Sequence, residues 1–518
     1  MYRLLRLDLR EVASKLLLVA LIVLLGAALA LLPWKWSALL VVGAALLFSL
    51  LIWPQSALCL LAFAVPFGAI REWPLGPVNV GSVELLTLLL LVSWLARMVV
   101  ERRIIIPRPP LLLPLLLFIA ALLLSTQVTS SLELSAKEVA KWLQVLLIYL
   151  FVDGVVDERW GRWVVWSLLA AGSAEALFGI YQFLRQVGPE GFVLFGRFMR
   201  AYGHFAQPNP FAGYLGLTLP LAYALTLEAL EACWLQVRRA RAGIRHTLIH
   251  TLPYVPFVAS FAVLAAAMVM SWSRGGWVGA AAALVVITLV RSRAALISAI
   301  AVGLLVTYLL LAGGAQYLPP TLVQRVSDFV PYLGGVDVTR VDVTDANWAV
   351  IERMAHWLAA VGMFSDHPWL GVGIGNYPVV YPQYALGRWR APLGHAHNYY
   401  LNIAAEAGIV GLSAYLILFG ACFVQAWRVL QRTRSAVIRE PGHSPASSAA
   451  GRGPALDWAG PGYWRGVTLG ALGVLVHLSV HNLFDNLFVH SMNVQLGLVL
   501  GLLVIAQKSA DVDHANRY

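Results

Sequence analysis

Arginines and histidines stand in this chain at places where its apolar segments have no need of them. Arg197, Arg200 and His204 come just ahead of Gln207-Pro-Asn-Pro210, and Arg274 sits between Ser271-Trp-Ser273 and Gly275-Gly276, at a tight turn joining two apolar blocks. Arg353 lies in a long polar segment. Arg388, Trp389 and Arg390 shortly precede Gly394-His-Ala-His-Asn398, and His481, Asn482, Asp485 and His490 mark the junction of the last two apolar blocks. Guanidinium forks match phosphate oxygens two at a time, so several arginines on one surface make a site for a polyanion. A histidine changes protonation near ambient pH and suits abstraction of a proton from a hydroxyl.

Each feature also has an ordinary reading. Arg197, Arg388 and Arg390 can be span-end arginines that reach for the interface. Arg274 is harder to dismiss, because a charge beside Gly-Gly at a span start is expensive unless paired or hydrated. His395 and His397 could form a metal pair, but no carboxylate or cysteine stands at a matching spacing, so no metal is expected. Either histidine could instead cap the helix that follows. Gly371-Val-Gly-Ile-Gly375 has no strand–turn–helix context and is not read as a dinucleotide loop. Cys59, Cys233 and Cys422 have no metal-ligand spacing and suggest no disulfide framework.

The elements that must position these residues follow from composition. Of 518 residues, 60% are hydrophobic and only 12% charged, with a mean hydropathy of +0.75. Soluble chains carry about 25% charged residues, which excludes a soluble enzyme, a disordered chain and a fibrous one. Apolar blocks occur at 16–32, 37–53, 55–70, 83–100, 111–125, 138–156, 163–184, 210–230, 252–271, 274–290, 294–312, 399–427, 466–484 and 491–507. The expected fold is an all-α polytopic integral membrane protein of about 12–14 transmembrane helices. The net charge of +11 reflects basic residues in short loops, where they set orientation. It suggests no nucleic-acid partner. That bias puts both termini in the cytoplasm and the polar residues above on the outer face.

Three regions are expected: a transmembrane bundle over 1–312, one large extracytoplasmic loop domain over 313–398, and C-terminal helices over 399–518. The last contains a flexible cytoplasmic linker over about 428–463, because its Pro/Ser/Ala/Gly-rich run cannot bury a core. The loop domain is rich in Trp, Tyr and Pro, and a long ordered loop of that kind is usually functional. Phosphate-binding arginines and a base at the outer membrane surface suit a lipid-linked pyrophosphate sugar. ATP is absent there, so the pyrophosphate bond of the donor must drive the reaction.

Four segments, taken together, resemble the O-antigen ligase/polymerase superfamily. Arg200-Ala-Tyr-Gly-His-Phe-Ala-Gln-Pro-Asn-Pro-Phe-Ala-Gly-Tyr-Leu215 is similar to its R-x-x-G-x-F-x-N-P-N-x-x-A-x-Y-L element, departing at Gln207. Ser271-Trp-Ser-Arg-Gly-Gly-Trp277 is similar to its S-R-G-x-W turn. His367-Pro-Trp-Leu-Gly-Val-Gly-Ile-Gly-Asn376 and His395-Ala-His-Asn-Tyr-Tyr-Leu-Asn-Ile-Ala-Ala-Glu-Ala-Gly408 resemble its H-P-x-x-G-x-G-x-G-N and H-x-H-N-x-x-L-x-x-x-x-E-x-G signatures.

The resemblance implies an integral membrane glycosyltransferase of the GT-C type, inverting and independent of metal or other cofactor, in a bacterial inner membrane. Its donor would be an undecaprenyl-pyrophosphate-linked glycan. Arg200 and Arg274, with Arg353 as a further candidate, would hold the pyrophosphate; His397 or His395 would be the base; Asn398 and Glu406 would orient the site. Transfer to lipid A-core would make it a ligase, and transfer to a growing glycan a polymerase of the Wzy type. A transporter or flippase is the less favoured reading, since no internal repeat or pair of broken helices is present.

Overall fold

The computed structural model describes residues 30–68, 73–75, 78–104, 106–239, 252–292, 320–327, 330–332, 336–344, 347–438 and 461–515, with isolated positions within 19–27 and 297–308. The expected spans 16–32 and 294–312 fall largely outside these residues, as does 439–460 of the expected linker. Contacts divide the chain into two units, residues 1–57 and 58–518. The first contains the apolar helix α1 (Trp34–Ile52).

α2 (Ser56–Phe67) begins at the boundary, and the second unit continues through α3 (Ser82–Val100), α4 (Leu112–Ser125), α5 (Leu132–Val155) and α6 (Glu158–Arg185). Then come α7 (Pro208–Gly216), α8 (Leu219–Arg239), α9 (Val255–Met270), α10 (Arg274–Arg291) and the short α11 (Pro320–Ser327). The series ends with α12 (Trp348–Asp366), α13 (Tyr377–Tyr384), α14 (Tyr399–Ile438), α15 (Pro461–His481) and α16 (Met492–Ala515). Two antiparallel hairpins, Trp73–Leu75 with Val78–Val80 and Val193–Leu194 with Phe198–Met199, interrupt an otherwise all-α fold.

Among the described residues, seven segments are long and apolar enough to cross a membrane: Ser82–Val100, Glu158–Arg185, Pro208–Trp234, Leu252–Met270, Arg274–Arg291, Tyr399–Arg434 and Met492–Val512. The protein is a multi-pass membrane protein with a substantial region outside its spans. Several further blocks read from hydropathy do not meet that standard. α2 and α4 are apolar but have only 12 and 14 residues, about 18–21 Å of helix against a hydrocarbon core of about 30 Å. α5 carries Glu138, Lys141 and Asp153, and α15 mixes glycines with His477 and His481. α3 shows why lipid is the solvent: Leu85, Leu88, Val92 and Leu95 are exposed while Val83, Thr87 and Leu90 are buried. A helix apolar on its outer face too has no place on a water-facing surface.

Glycines set the close helix contacts, as expected where lipid removes the hydrophobic drive between helices. A Cβ at Gly501 of α16 would lie 2.9 Å from Val152 of α5, and one at Gly470 of α15 would lie 2.7 Å from the Leu221 Cα of α8.

α14 spans 40 residues and breaks at Gly408, where φ is 64° and ψ is −163°. The break would orphan backbone groups, and the loop 367–376 satisfies them. Val372 N–H donates to Ala405 O at 2.9 Å, Gly373 N–H to Glu406 O at 3.0 Å, and Ile409 N–H to Pro368 O at 2.8 Å. Gly371, Gly373 and Gly375 all have positive φ, and a Cβ at Gly371 would collide with the α14 backbone. The Gly-Val-Gly-Ile-Gly run is a backbone splice. α14 remains helical through 428–438, residues expected to open the flexible linker.

Candidate active site

A cavity of about 710 Å³ opens where the starts of α7 and α10, the short α11, one face of α12 and the end of α15 meet. Its polar wall carries Arg200, Arg274, Arg325 and Arg353, faced by the carboxylate of Asp485. Its other wall is apolar and comes mainly from Val350, Met354, Leu358 and Val361 on α12 with Val278 and Phe484. The three arginines expected from sequence are thus together. Arg325, on α11, is a fourth that no motif announced.

The turn before α10 is built by its serines. Ser271 Oγ donates to Met268 O at 2.7 Å and accepts from Ser273 N–H at 3.2 Å, while Ser273 Oγ caps the helix by accepting from Gly276 N–H at 3.4 Å. Trp272 is driven to φ 52°, and its carbonyl accepts from Arg325 Nη2 at 3.0 Å. Arg200 is tied to the same turn, donating to Ser271 O and to Asn209 Oδ1, each at 3.0 Å. Ser273, Arg274 and Gly275 line the cavity, so the positive end of the α10 dipole adds to the arginine charge.

Burial first, and then the like charges of Arg325, Arg353 and Arg274, push the Arg200 guanidinium well below the usual arginine range; Asp485 opposes them. Arg353 donates Nη1 to Ala349 O at 3.3 Å, and its buried Nε has no hydrogen-bond partner among the described residues. Four crowded cations with one carboxylate repel one another, and a bound polyanion relieves that repulsion.

The histidine pair hangs on Asp485. His397 Nδ1 lies 3.3 Å from Asp485 Oδ1, and His395 Nε2 lies 3.8 Å from the same atom. Burial tends to raise the Asp485 pKa. The hydrogen bond from His397 and the charges of His395, His397 and Arg353 outweigh it, and the carboxyl is held well below its usual range.

Two different tautomers follow. His395 Nδ1 accepts the backbone N–H of His397 at 3.1 Å, so its neutral ring carries the proton on Nε2. His397 presents Nδ1 to a carboxylate, so the proton belongs on Nδ1 and Nε2 keeps the lone pair. Burial pushes the His395 pKa down to about 4; His397, His356 and Arg353 act in the same sense and Asp485 only partly opposes them. His356, stacked on Tyr381 and edge-on to His397 at 5.8 Å, is also pushed down to about 4, by burial and then by His397.

His397 sits at φ 51°, a left-handed conformation uncommon for any residue but glycine. Trp357 Nε1 donates to its carbonyl at 3.3 Å, and Asn402 Oδ1 accepts from Ala396 N–H at 3.0 Å. Glu406, fully buried in α14, takes Asn402 Nδ2 at 3.0 Å and Tyr377 N–H at 2.9 Å. Asn398 Oδ1 accepts from Leu401 N–H at 3.1 Å, capping α14. Neither Asn398 nor Glu406 lines the cavity; both stand behind the histidine loop. His395 and His397 lie beside the cavity, reached through Asp485.

Asp485 also alters the metal argument. Its oxygen and the nitrogens of His395 and His397 lie within 4.8 Å of one another, so the missing carboxylate was hidden only by its distance of 88 residues from His397. Of the arginines on the cavity wall, Arg353 acts on the same Asp485 carboxylate as a neighbouring positive charge.

Residues 259–416 match the Wzy_C family model, described as O-Antigen ligase. A stretch of 223 residues, 43% of the chain, is 26% identical to the O-antigen ligase of Pseudomonas aeruginosa. The match spans 46% of that protein, about half its length. Arg274, Arg353, His395 and His397 fall inside the family segment; Arg200 and Asp485 fall outside it.

Proposed function

With membership in the O-antigen ligase/Wzy_C superfamily as the premise supported by these matches, we propose that the protein is a membrane glycosyltransferase. It transfers a glycan from undecaprenyl pyrophosphate to an acceptor hydroxyl at the outer face of a bacterial inner membrane. The observation that carries the reading is one cavity with four arginines on its wall, beside a histidine whose Nδ1 is held by an ionised aspartate.

The donor diphosphate lies against Arg200, Arg274, Arg325 and Arg353, and its polyprenyl chain runs along the apolar face of α12. His397 Nε2 takes the proton of the acceptor hydroxyl while Asp485 steadies the imidazolium, the division of labour in a histidine–aspartate pair. The acceptor oxygen bonds to the anomeric carbon from the face opposite the leaving group, and the carbon–oxygen bond to the diphosphate breaks with inversion. Negative charge grows on the departing diphosphate, so arginines fixed there stabilise the transition state more than the ground state. His395 lends its Nδ1 to the backbone and holds the loop. No step requires a metal or a nucleotide. The arrangement is GT-C-like in placing its chemistry at one end of a membrane bundle.

The acceptor we favour is lipid A-core, which makes the protein an O-antigen ligase; a growing lipid-linked glycan would make it a Wzy-type polymerase. Purified protein is incubated with undecaprenyl-pyrophosphate-linked repeat units, with and without lipid A-core, and the products are resolved by gel. Transfer that requires lipid A-core and is lost in His397→Ala supports the ligase. A ladder of longer lipid-linked chains identifies the polymerase. Neither product, from protein that is folded and monodisperse, refutes the reading.

A further inference from the structure

α15 ends with His477, His481 and, one turn beyond the helix, Asp485: three ionisable side chains at a spacing of four, on one helical face. His477 and His481 are almost completely buried, at 0% and 1% exposure. Buried imidazoles within a membrane bundle are costly and tend to mark function. His481 lines the same cavity as Arg200, Arg274 and Arg353, whereas His477 lies behind it and does not.

The ring geometry gives the two histidines separate tasks. His481 Nδ1 lies 3.3 Å from His477 Nε2. That contact occupies the inner nitrogen of His481 and leaves Nε2 as its free edge. The free edge lies on Gly275, in the first turn of α10, where a Cβ would stand 3.0 Å from Nε2 and 2.7 Å from Cδ2. Gly275 also lines the cavity. Behind it, a Cβ at Gly279 would stand 2.9 Å from His477 Nδ1, and one at Gly216 of α7 would collide with the same ring. Glycines on two helices therefore leave space for this pair of imidazoles. Two buried histidines could merely satisfy each other, but such a pair need not reach the cavity wall at the start of the helix that carries Arg274.

We infer that His481 is a further diphosphate-binding residue, donating its Nε2–H to a phosphate oxygen beside Arg274, and that His477 is a positioning residue that fixes the proton of His481 on that nitrogen. The chain of donors is His477 Nε2–H to His481 Nδ1, then His481 Nε2–H to the ligand. This rests on the diphosphate reading of the cavity, though not on glycosyl transfer itself.

The test measures undecaprenyl pyrophosphate binding, as a melting shift in detergent, alongside transfer kinetics. Glutamine can place its amide nitrogen near the Nε2 position and asparagine nearer Nδ1. His481→Gln should keep the ligand-induced shift and stay within roughly fivefold of wild-type turnover, whereas His481→Asn and His481→Phe should lose roughly tenfold to a hundredfold in kcat. For His477, Leu should cost roughly tenfold and Gln should restore most of the loss, a rescue that mere filling of space does not give. Equal losses in His481→Gln and His481→Asn overturn the donor role even if the phenylalanine variant fails to fold, as does a full melting shift with unchanged kcat in His481→Phe. If the wild type is stabilised by undecaprenyl pyrophosphate and His481→Asn is not, the inference stands even where no transfer is detected, and only the transfer reading falls. A wild type that undecaprenyl pyrophosphate does not stabilise overturns the inference.

Discussion

At the scale of single residues, the functional burden divides between atoms that must carry a proton and atoms that must carry charge. His397→Ala removes the proposed base and should abolish transfer while leaving the melting temperature within a few degrees; retained turnover would exclude it from the mechanism. Asp485→Asn keeps the shape but can donate to Nδ1, which turns the lone pair of His397 the wrong way. Turnover should fall by roughly two to four orders of magnitude, and kinetics on folded protein read this directly. Arg274→Lys keeps the charge and loses the fork, so kcat should drop roughly tenfold or more; a normal lysine variant would mean that a point charge suffices. His395 predicts a pH effect on stability. Its folded pKa, about 4, lies below the unfolded value of about 6.5. As pH falls from 6.5 towards 4, the unfolded chain binds a proton that the folded one does not, and stability is lost across that window. Melting temperatures between pH 7 and 4.5 should therefore decline less steeply in His395→Asn than in the wild type; equal slopes would remove His395 as a source. The sequence displayed these residues but not their pairings. Asp485 was visible at a helix junction, yet nothing local ties it to a histidine 88 positions away. Arg325 lies outside every motif, on an eight-residue helix, and its donation to the Trp272 carbonyl ties it to the turn before α10.

At the scale of elements, the recognisable motifs prove to be devices for holding backbone in uncommon shapes, with the reactive side chains as passengers. The loop 367–376 carries none of the proposed chemistry, yet it supplies the hydrogen bonds that let α14 break at Gly408, and the break sits two residues after Glu406. Glu406 in turn holds Asn402, which holds Ala396, beside the strained His397. A Cβ at Gly408 would collide with the Trp369 carbonyl, and φ 64° there disfavours any side chain. Gly408→Ala should therefore lower transfer strongly through the histidine loop while leaving the cavity arginines in place, so the donor-induced melting shift survives as turnover falls. Loss of both together would mean that the splice supports the whole cavity. Helix boundaries were legible where apolar runs met turn residues and illegible where a helix runs on into polar residues. Arg428, Arg432 and Arg434 read as the start of a linker. Yet α14 continues through them, and Arg432 pairs with Asp511 of α16 at 2.9 Å.

At the scale of the molecule, hydropathy gave the class but does not by itself separate a span from a buried helix, because burial inside a bundle and exposure to lipid both select apolar residues. α16 is the case in point: most of its spanning stretch is buried by other helices, so its composition reports protein packing as much as bilayer contact. A charge network ties the bundle together away from the end that carries the cavity. Glu228 of α8 accepts from Arg291 Nε of α10 at 3.1 Å and from Arg465 Nη2 of α15 at 2.6 Å, and Glu231 joins both arginines at 2.6 and 2.9 Å. Arg291 closes the end of α10 opposite Arg274, and Arg465 lies at the start of α15, whose far end carries His481. One cluster thus ties α8 to α10 and α15, the two helices whose opposite ends line the cavity. Glu228 is nearly buried and its arginine partners are partly exposed, so breaking the network should cost more than a surface pair and less than a dry one, about 2 kcal/mol. Glu228→Gln should lower the melting temperature, with turnover per folded molecule unchanged within about twofold, because the substitution leaves every cavity-lining residue in place. Thermal melts and single-turnover transfer on the same preparation decide it. A Glu228→Gln protein as stable as the wild type shows the network to be dispensable. One that melts normally but transfers slowly shows that the charge cluster steers the catalytic end of the helices rather than anchoring them.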